Sequence, residues 1–260
     1  SADSRQVYKE LNIGSGKTSP AEQGGIAHHL LDCRDPRVEI NVAEFLTEAE
    51  TALAGIHARG ARAILVGGTG LYVKALIHGL AELPAPNPDL RTELELLTNE
   101  QLFEKLRELD PSLTERISPN DRSRLVRGIE IALQSERASS IHDSHKFSKV
   151  VRPSIIICLQ GPREKLGERI NARAASMVKQ GLVNETKGII ERYGLELQGL
   201  EALGYSQVMQ LLKGELEPER LTDEIATKTR QFSKRQLTFW RNQPLKLGWR
   251  VRPKEGEGVE

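Results

Sequence analysis

Apolar residues recur along this chain in two rhythms, and the changes between them outline its organisation. Phe45, Leu46, Ala49, Ala52, Leu53 and Ile56 recur at helical spacing. Asn41-x-x-Glu44 has the form of a capping box before them, and Gly60 ends the run. Ala63-Ile64-Leu65-Val66 is apolar without alternation, which predicts a parallel strand buried on both faces. Gly67-Gly68-Thr69-Gly70 follows, and Leu71 to Leu80 reads as the next helix. Helix, strand, glycine corner and helix in this order predict a doubly wound α/β fold. Ligands in such folds bind outside the carboxyl ends of the strands, which places Thr69 where a substrate is expected. An ordinary tight strand–helix turn explains the same residues equally well.

Leu83-Pro84-Ala85-Pro86-Asn87-Pro88 interrupts the pattern. From Asp89 to about Ser135 the period is helical throughout, punctuated by Pro111 and Pro119, which predicts an inserted helical subdomain. In its last helix Leu125, Ile129 and Leu133 share one face, and Arg124 and Arg127 another. Such arginines form a solvated face more often than a phosphate-binding edge. Residues 136–150 are polar and read as a loop. Pro153 to Gln160 predicts a second buried strand, and Pro162 a helix with Leu166, Ile170, Ala174 and Met177 inward. Arg169 and Arg173 lie on a neighbouring stripe, where Arg173 has Glu164 or Glu168 as an alternative ion-pair partner. Gly199-x-x-Ala202-x-Gly204-Tyr205 reads as a loop entering another helix.

Thr222 to Trp240 is the longest helical pattern, with Ile225 and Phe232 as its expected inner face. Arg230, Lys234 and Arg241 share one stripe, and Lys228 and Arg235 form a second pair. No acid occurs from Lys228 to Arg241, and Gln231, Gln236, Phe239 and Trp240 interleave with the cations. That mixture favours RNA backbone and base contacts over a solvated face.

Composition narrows the reading. Thirty-seven basic against 36 acidic residues leave almost no net charge, so any nucleic-acid contact has to come from a local patch. Cys33 and Cys158 are the two cysteines; they suggest no disulfide framework and fit a reducing compartment. The longest apolar run, Ile155 to Leu159, is far too short to span a membrane. At the beginning, Asp3, Ser4, Gln6 and Tyr8 bring a carboxylate, a hydroxyl, an amide and a phenol together, a set suited to a polar planar substrate. On those residues alone a capped helix start is the commoner explanation. His28, His29 and Asp32 sit in a long loop where adjacent side chains diverge, so a structural role outranks metal binding. Gly14-Ser15-Gly16-Lys17-Thr18 imitates the end of a P-loop, but Leu11 stands where that motif needs glycine.

Taken in order, Asp3-Ser4-x-Gln6-x-Tyr8, Asn12-Ile13-Gly14, His28 to Asp32, Leu65 to Tyr72 and Thr229 to Arg241 resemble the tRNA dimethylallyltransferase family from residue 1 to about 250. The resemblance implies a P-loop-NTPase-like α/β fold, a parallel sheet flanked by helices. Residues 1–82 and 151–260 would form that core and residues 83–150 the all-helical insertion. It implies transfer of a dimethylallyl group from dimethylallyl diphosphate to N6 of adenosine 37, beside the anticodon, in tRNAs reading codons that begin with U.

Asp3 matches the family's base, and Thr69 and Arg173 match residues facing the diphosphate. By the same matching, tRNA contacts fall to Asp3, Ser4, Arg5, Gln6, Thr69, Arg91, Ser123, Arg124, Leu125, Val126, Arg127, Gly204, Tyr205, Arg230, Lys234 and Arg235. Mg²⁺ is the implied cofactor, and the family is cytoplasmic and usually monomeric. The family's initial strand, P-loop and helix have no counterpart in these residues, so the expectation for the chain as written is weak tRNA binding with little turnover. The rivals are an adenylate dimethylallyltransferase using free nucleotide and a catalytically silent RNA-binding module.

Overall fold

The computed structural model describes residues 1–81, 83–134, 150–152, 154–159 and 161–242, and the backbone of 249–250. The chain divides into two units, Ser1–Ile77 with Arg152–Glu260, and His78–Val151.

In the first unit, helix α1 runs over Val42–Ala58. The Asn41 side chain accepts from the amides of Ala43 and Glu44, while Glu44 accepts from the Asn41 amide at 2.9 Å. Each partner satisfies a backbone donor that the first helical turn leaves open. Gly60, at φ 69°, takes the left-handed turn that ends the segment. Helix α2, Gly70–His78, lays Tyr72 flat on Phe45 of α1, with ring centroids 4.0 Å apart. Burial raises the Tyr72 phenol to about 12.

Residues 9–40 form a loop pinned by the backbone. The Cys33 and Arg34 amides donate to the Val7 carbonyl, and Tyr8 and Arg34 form a parallel bridge. One core joins Ala2, Tyr8, Leu11 and Phe45 from this part to Leu182, Tyr205 and Ile225 from later helices.

Two expected strands come out differently. Ala63–Val66 forms no strand, and Ile64 and Val66 are 86% and 68% exposed. Among the described residues the run finds a backbone partner only at its end, where the Ala2 amide donates to the Val66 carbonyl at 2.7 Å. Within Pro153–Gln160 only Ile156–Ile157 is a strand (β1); Pro153 and Gln160 lie outside the described residues. It pairs in parallel with β2, Trp249–Arg250, as the one sheet among the described residues. Ile155, Ile157 and Leu159 are exposed. A strand buried on both faces needs neighbours along its edges and layers above and below, and among the described residues Ile64, Val66, Ile155, Ile157 and Leu159 lack that cover.

The second unit holds four helices among the described residues: α3 Pro88–Glu95, α4 Asn99–Leu109, α5 Pro111–Thr114 and α6 Arg122–Gln134. Asn87, Thr98 and Asp110 cap the first three through their side chains. Leu94, Leu102, Leu106, Leu113, Leu125 and Ile129 form a separate core.

Beside that core lies Glu130, fully buried. Its carboxylate accepts from Arg91 Nε at 2.8 Å and Nη2 at 2.9 Å, from the Asn87 amide at 3.0 Å and from Arg127 Nη1 at 3.2 Å. Burial opposes its ionisation, but Arg91, the Asn87 amide and Arg127 together outweigh burial and hold the carboxyl below its usual value. A depressed carboxylate stabilises the fold above the unfolded value, about 4.3, and ceases to as pH falls through the folded one. Replacing one partner of a buried ion pair costs about 3–5 kcal/mol, and Glu130→Gln is expected to fall in that range at neutral pH. In thermal melts the gap to the parent should be wide at neutral pH and narrow as pH falls below about 4.3. An unchanged gap would contradict this role.

The remaining helices belong to the first unit: α7 Arg163–Lys179, α8 Leu182–Tyr193, α9 Tyr205–Leu212 and α10 Leu221–Arg241. Helix α10 packs along α7. Its inner face is Leu221, Ile225 and Ala226; Phe232, expected inside, is 40% exposed.

Candidate active site

Residues 4–7 form turns rather than a capped helix. Asp3 Oδ1 accepts from the amides of Arg5 at 2.8 Å and Gln6 at 3.3 Å. These two donors fix one carboxylate oxygen, and Oδ2 has no hydrogen-bond partner among the described residues. Next to it, the Ser4 amide donates to Thr69 Oγ1 at 3.1 Å, and the Thr69 hydroxyl lies 3.4 Å from Ser4 Oγ. The Thr69 amide donates to the Ala2 carbonyl at 3.1 Å. Ala2 and Ser4, which flank Asp3, thus meet Thr69 although 65 positions separate Ser4 from Thr69. Gly67 allows the approach: a Cβ there would overlap the Ala2 backbone.

Gln6 turns its side chain away from Asp3. Its Nε2 donates to the carbonyls of Ser15 at 3.3 Å and Gly16 at 3.2 Å. Gly16 has φ 60°, and the Arg173 guanidinium covers it so closely that any Cβ would overlap it. Arg173 thus lies against Gly16, whose carbonyl accepts from Gln6 of the Asp3 turn; no hydrogen bond joins Arg173 to Asp3 or Thr69 among the described residues. It is exposed and forms no ion pair with Glu164 or Glu168, so the surface-pair alternative is not realised.

The Gly14–Thr18 segment cradles no anion through its lysine. Lys17 Nζ, almost enclosed, donates to the Tyr8 carbonyl at 2.6 Å and pairs with Asp32. A carboxylate in α8 holds the start of the same loop: Glu185 accepts from the Ile13 amide at 2.9 Å and from the Tyr205 hydroxyl at 2.6 Å. Burial, then the Glu185 charge and this hydrogen bond, raise the Tyr205 phenol far above its ordinary value.

Several expected site residues have structural roles instead. Tyr8 is fully buried, donating to Gln198 Oε1 and accepting from the Ile40 amide, so its phenol lies in the core and not in the polar cluster. Tyr205 is also fully enclosed against Gly14, and Gly204 is buried beside it; neither side of that pair offers a side chain to RNA. The Arg5 guanidinium donates to the Gln198 carbonyl. In the helical unit Leu125 is core, and Val126 packs against it. Arg91 and Arg127 serve Glu130, whereas Ser123 and Arg124 are exposed, Arg124 3.3 Å from Asp121.

On α10, Arg230 donates to Asn171 Oδ1 at 2.6 Å and to Thr227 Oγ1 at 2.8 Å. Lys234 and Arg235 are exposed, the latter over the Phe232 ring at 5.7 Å. Lys228 does find an acid: Glu224, one turn earlier, lies 3.4 Å away. Among the described residues no three His, Cys, Asp or Glu side chains converge on a metal position.

The chain is mainly helical, with residues 2–4 held against a glycine–threonine corner. The model of the family described as IPP transferase matches residues 6–243, and the chain belongs to that family. It is 38% identical over 241 residues to tRNA dimethylallyltransferase 1 of Citrifermentans bemidjiense, covering 92% of this chain and 79% of that one. It is 40% identical to the tRNA dimethylallyltransferase of a Synechococcus strain, covering 92% and 68%. Among solved structures it resembles the tRNA isopentenylpyrophosphate transferase of Bacillus halodurans, with 34% identity, TM-score 0.67 and coverage of 96% and 80%. A eukaryotic dimethylallyltransferase acting on tRNA gives TM-score 0.78 at 27% identity, covering 91% and 61%.

Sequence reasoning missed the Glu185 clamp, the cover of Arg173 over Gly16, and the contact of Gln236 and Phe239 with the glycine corner. Each joins residues more than 150 positions apart, and no local spacing signals them.

Proposed function

We propose that this chain transfers a dimethylallyl group from dimethylallyl diphosphate to N6 of adenosine 37 in tRNA. The observation that supports the reading is the Ser4 amide–Thr69 hydroxyl contact, which brings the residue next to Asp3 in the chain against the corner. The adenine amine is a weak nucleophile because its lone pair is delocalised into the ring. Asp3 Oδ2, free while Oδ1 is anchored, accepts a hydrogen bond from N6–H and then the proton. As N6 bonds to the allyl carbon, the bond from that carbon to the diphosphate oxygen breaks and the electron pair leaves with the diphosphate. The Thr69 hydroxyl and the Arg173 guanidinium receive the growing negative charge. The target base has to leave its stack to reach Asp3.

Mg²⁺ takes hard oxygen donors and, in phosphate sites, a serine or threonine hydroxyl together with the substrate phosphates. The Ser4 and Thr69 hydroxyls fit that donor set, and the ion would neutralise diphosphate charge there. The exposed cations of α10, Arg230, Lys234 and Arg235, and Ser123 and Arg124 of the helical unit would hold the anticodon arm. Among the described residues no helix is long and apolar enough to cross a membrane. The reading takes the framework as a P-loop-NTPase-like core with a helical insertion, acting as a cytoplasmic monomer.

The test compares an anticodon stem-loop with AMP as acceptor, as relative rates under one set of conditions. The stem-loop should be strongly preferred, and equal use of AMP would favour the free-nucleotide rival. Replacing Arg230, Lys234 and Arg235 together by alanine should reduce the slope of log affinity against log salt by about 2. An unchanged slope would remove α10 from the RNA interface.

A further inference from the structure

The glycine corner has two faces. Ala2 and Ser4 hold one, as described. Helix α10 holds the other, with side chains that the reaction scheme leaves unassigned. Gln236 Nε2 donates to the Gly68 carbonyl at 2.9 Å, and a Cβ on Gly68 would overlap that nitrogen. A Cβ on Gly70 would lie 2.5 Å from Phe239 Cδ1 and 3.0 Å from its Cζ. The Phe239 ring meets Trp240 edge-on, with centroids 5.2 Å apart. Residues three apart share a helix face, so Gln236 and Phe239 form one contact surface. At 100° per residue, Arg230, Lys234 and Arg241 lie on the opposite side of the helix.

We infer that Gln236 and Phe239 are positioning residues for Thr69, not RNA contacts as their place among the cations suggests. The absence of side chains on Gly68 and Gly70 lets the helix approach the corner backbone. Gln236 then fixes the Gly68 carbonyl from one side while Ala2 fixes Thr69 from the other. With its backbone held on both sides, Thr69 keeps its hydroxyl at Ser4 without reorganising when charge develops, which is where preorganised donors gain their effect. One helix thereby presents Arg230, Lys234 and Arg241 outward and braces the reacting corner inward. This assignment rests on the reading of Thr69 as a diphosphate-facing residue.

Gln236→Ala and, as a second variant, Phe239→Leu test it; alanine and leucine favour the helix and both variants should fold. Two readouts are needed. Amide hydrogen exchange at Thr69 should accelerate about tenfold or more in the RNA-free variants while exchange in the rest of α10 is unchanged. The single-turnover transfer rate at saturating stem-loop should fall about tenfold, with stem-loop affinity within about twofold of the parent. Unaltered Thr69 exchange overturns the inference. So does a loss of stem-loop affinity with an unaltered saturated rate, which marks an RNA contact. If the parent protein neither binds nor modifies the stem-loop, the functional reading fails, and the exchange measurement alone still decides whether these residues hold the corner.

Discussion

Asp3→Asn is expected to bind an anticodon stem-loop as tightly as the parent and to transfer the prenyl group about a hundred- to ten-thousand-fold more slowly. The substitution keeps the shape and the Oδ1 acceptor that the Arg5 and Gln6 amides require, so the turn should survive. It removes the second carboxylate oxygen, which has no hydrogen-bond partner among the described residues. An amide nitrogen in its place cannot take a proton from N6. Quantifying prenylated stem-loop after a single turnover, alongside an equilibrium binding curve, separates the two effects. A parallel fall in rate and affinity would give Asp3 a binding role; an unchanged rate would remove it from the chemistry.

Gly67→Ala is the second large effect. A methyl group there meets the backbone of Ala2, which cannot rotate aside, so segment 1–4 and the corner have to separate. Overpacking of this kind costs about 1–3 kcal/mol. The functional loss should exceed it, since a displacement of about 1 Å between reacting groups can lower a rate about a hundredfold. Gly68→Ala is the comparison: its methyl group meets only the end of the Gln236 side chain, which can move, so a smaller loss is expected. Rates and melting temperatures of the two variants decide the point. Equal effects would mean that the close approach of Ala2 to Gly67 does not govern the site.

Local rules account for much of what the chain revealed. The Asn41–Glu44 cap, the left-handed stop at Gly60 and the Pro-punctuated helices of residues 88–134 each depend on residues within one or two turns, so spacing alone exposed them. The motif order was enough to bring Asp3 and Thr69 under one family pattern. The apolar runs Ala63–Val66 and Ile155–Leu159 misled because a buried strand depends on its neighbours, and Ile64 and Ile155 are 86% and 91% exposed. Tyr8 and Tyr205 looked like site groups because a phenol carries the same chemistry wherever it points. Only the fold shows that Gln198 and Glu185 take up their hydroxyls. Nothing local announces the buried Glu130 that Arg91 and Arg127 share.

The most direct measurement is a structure of the protein with an anticodon stem-loop and a non-hydrolysable dimethylallyl diphosphate analogue. The account places N6 of the flipped adenine within about 3 Å of Asp3 Oδ2, with the diphosphate against Thr69 and Arg173. A purine bound away from Asp3, or a diphosphate held without either Thr69 or Arg173, would contradict it.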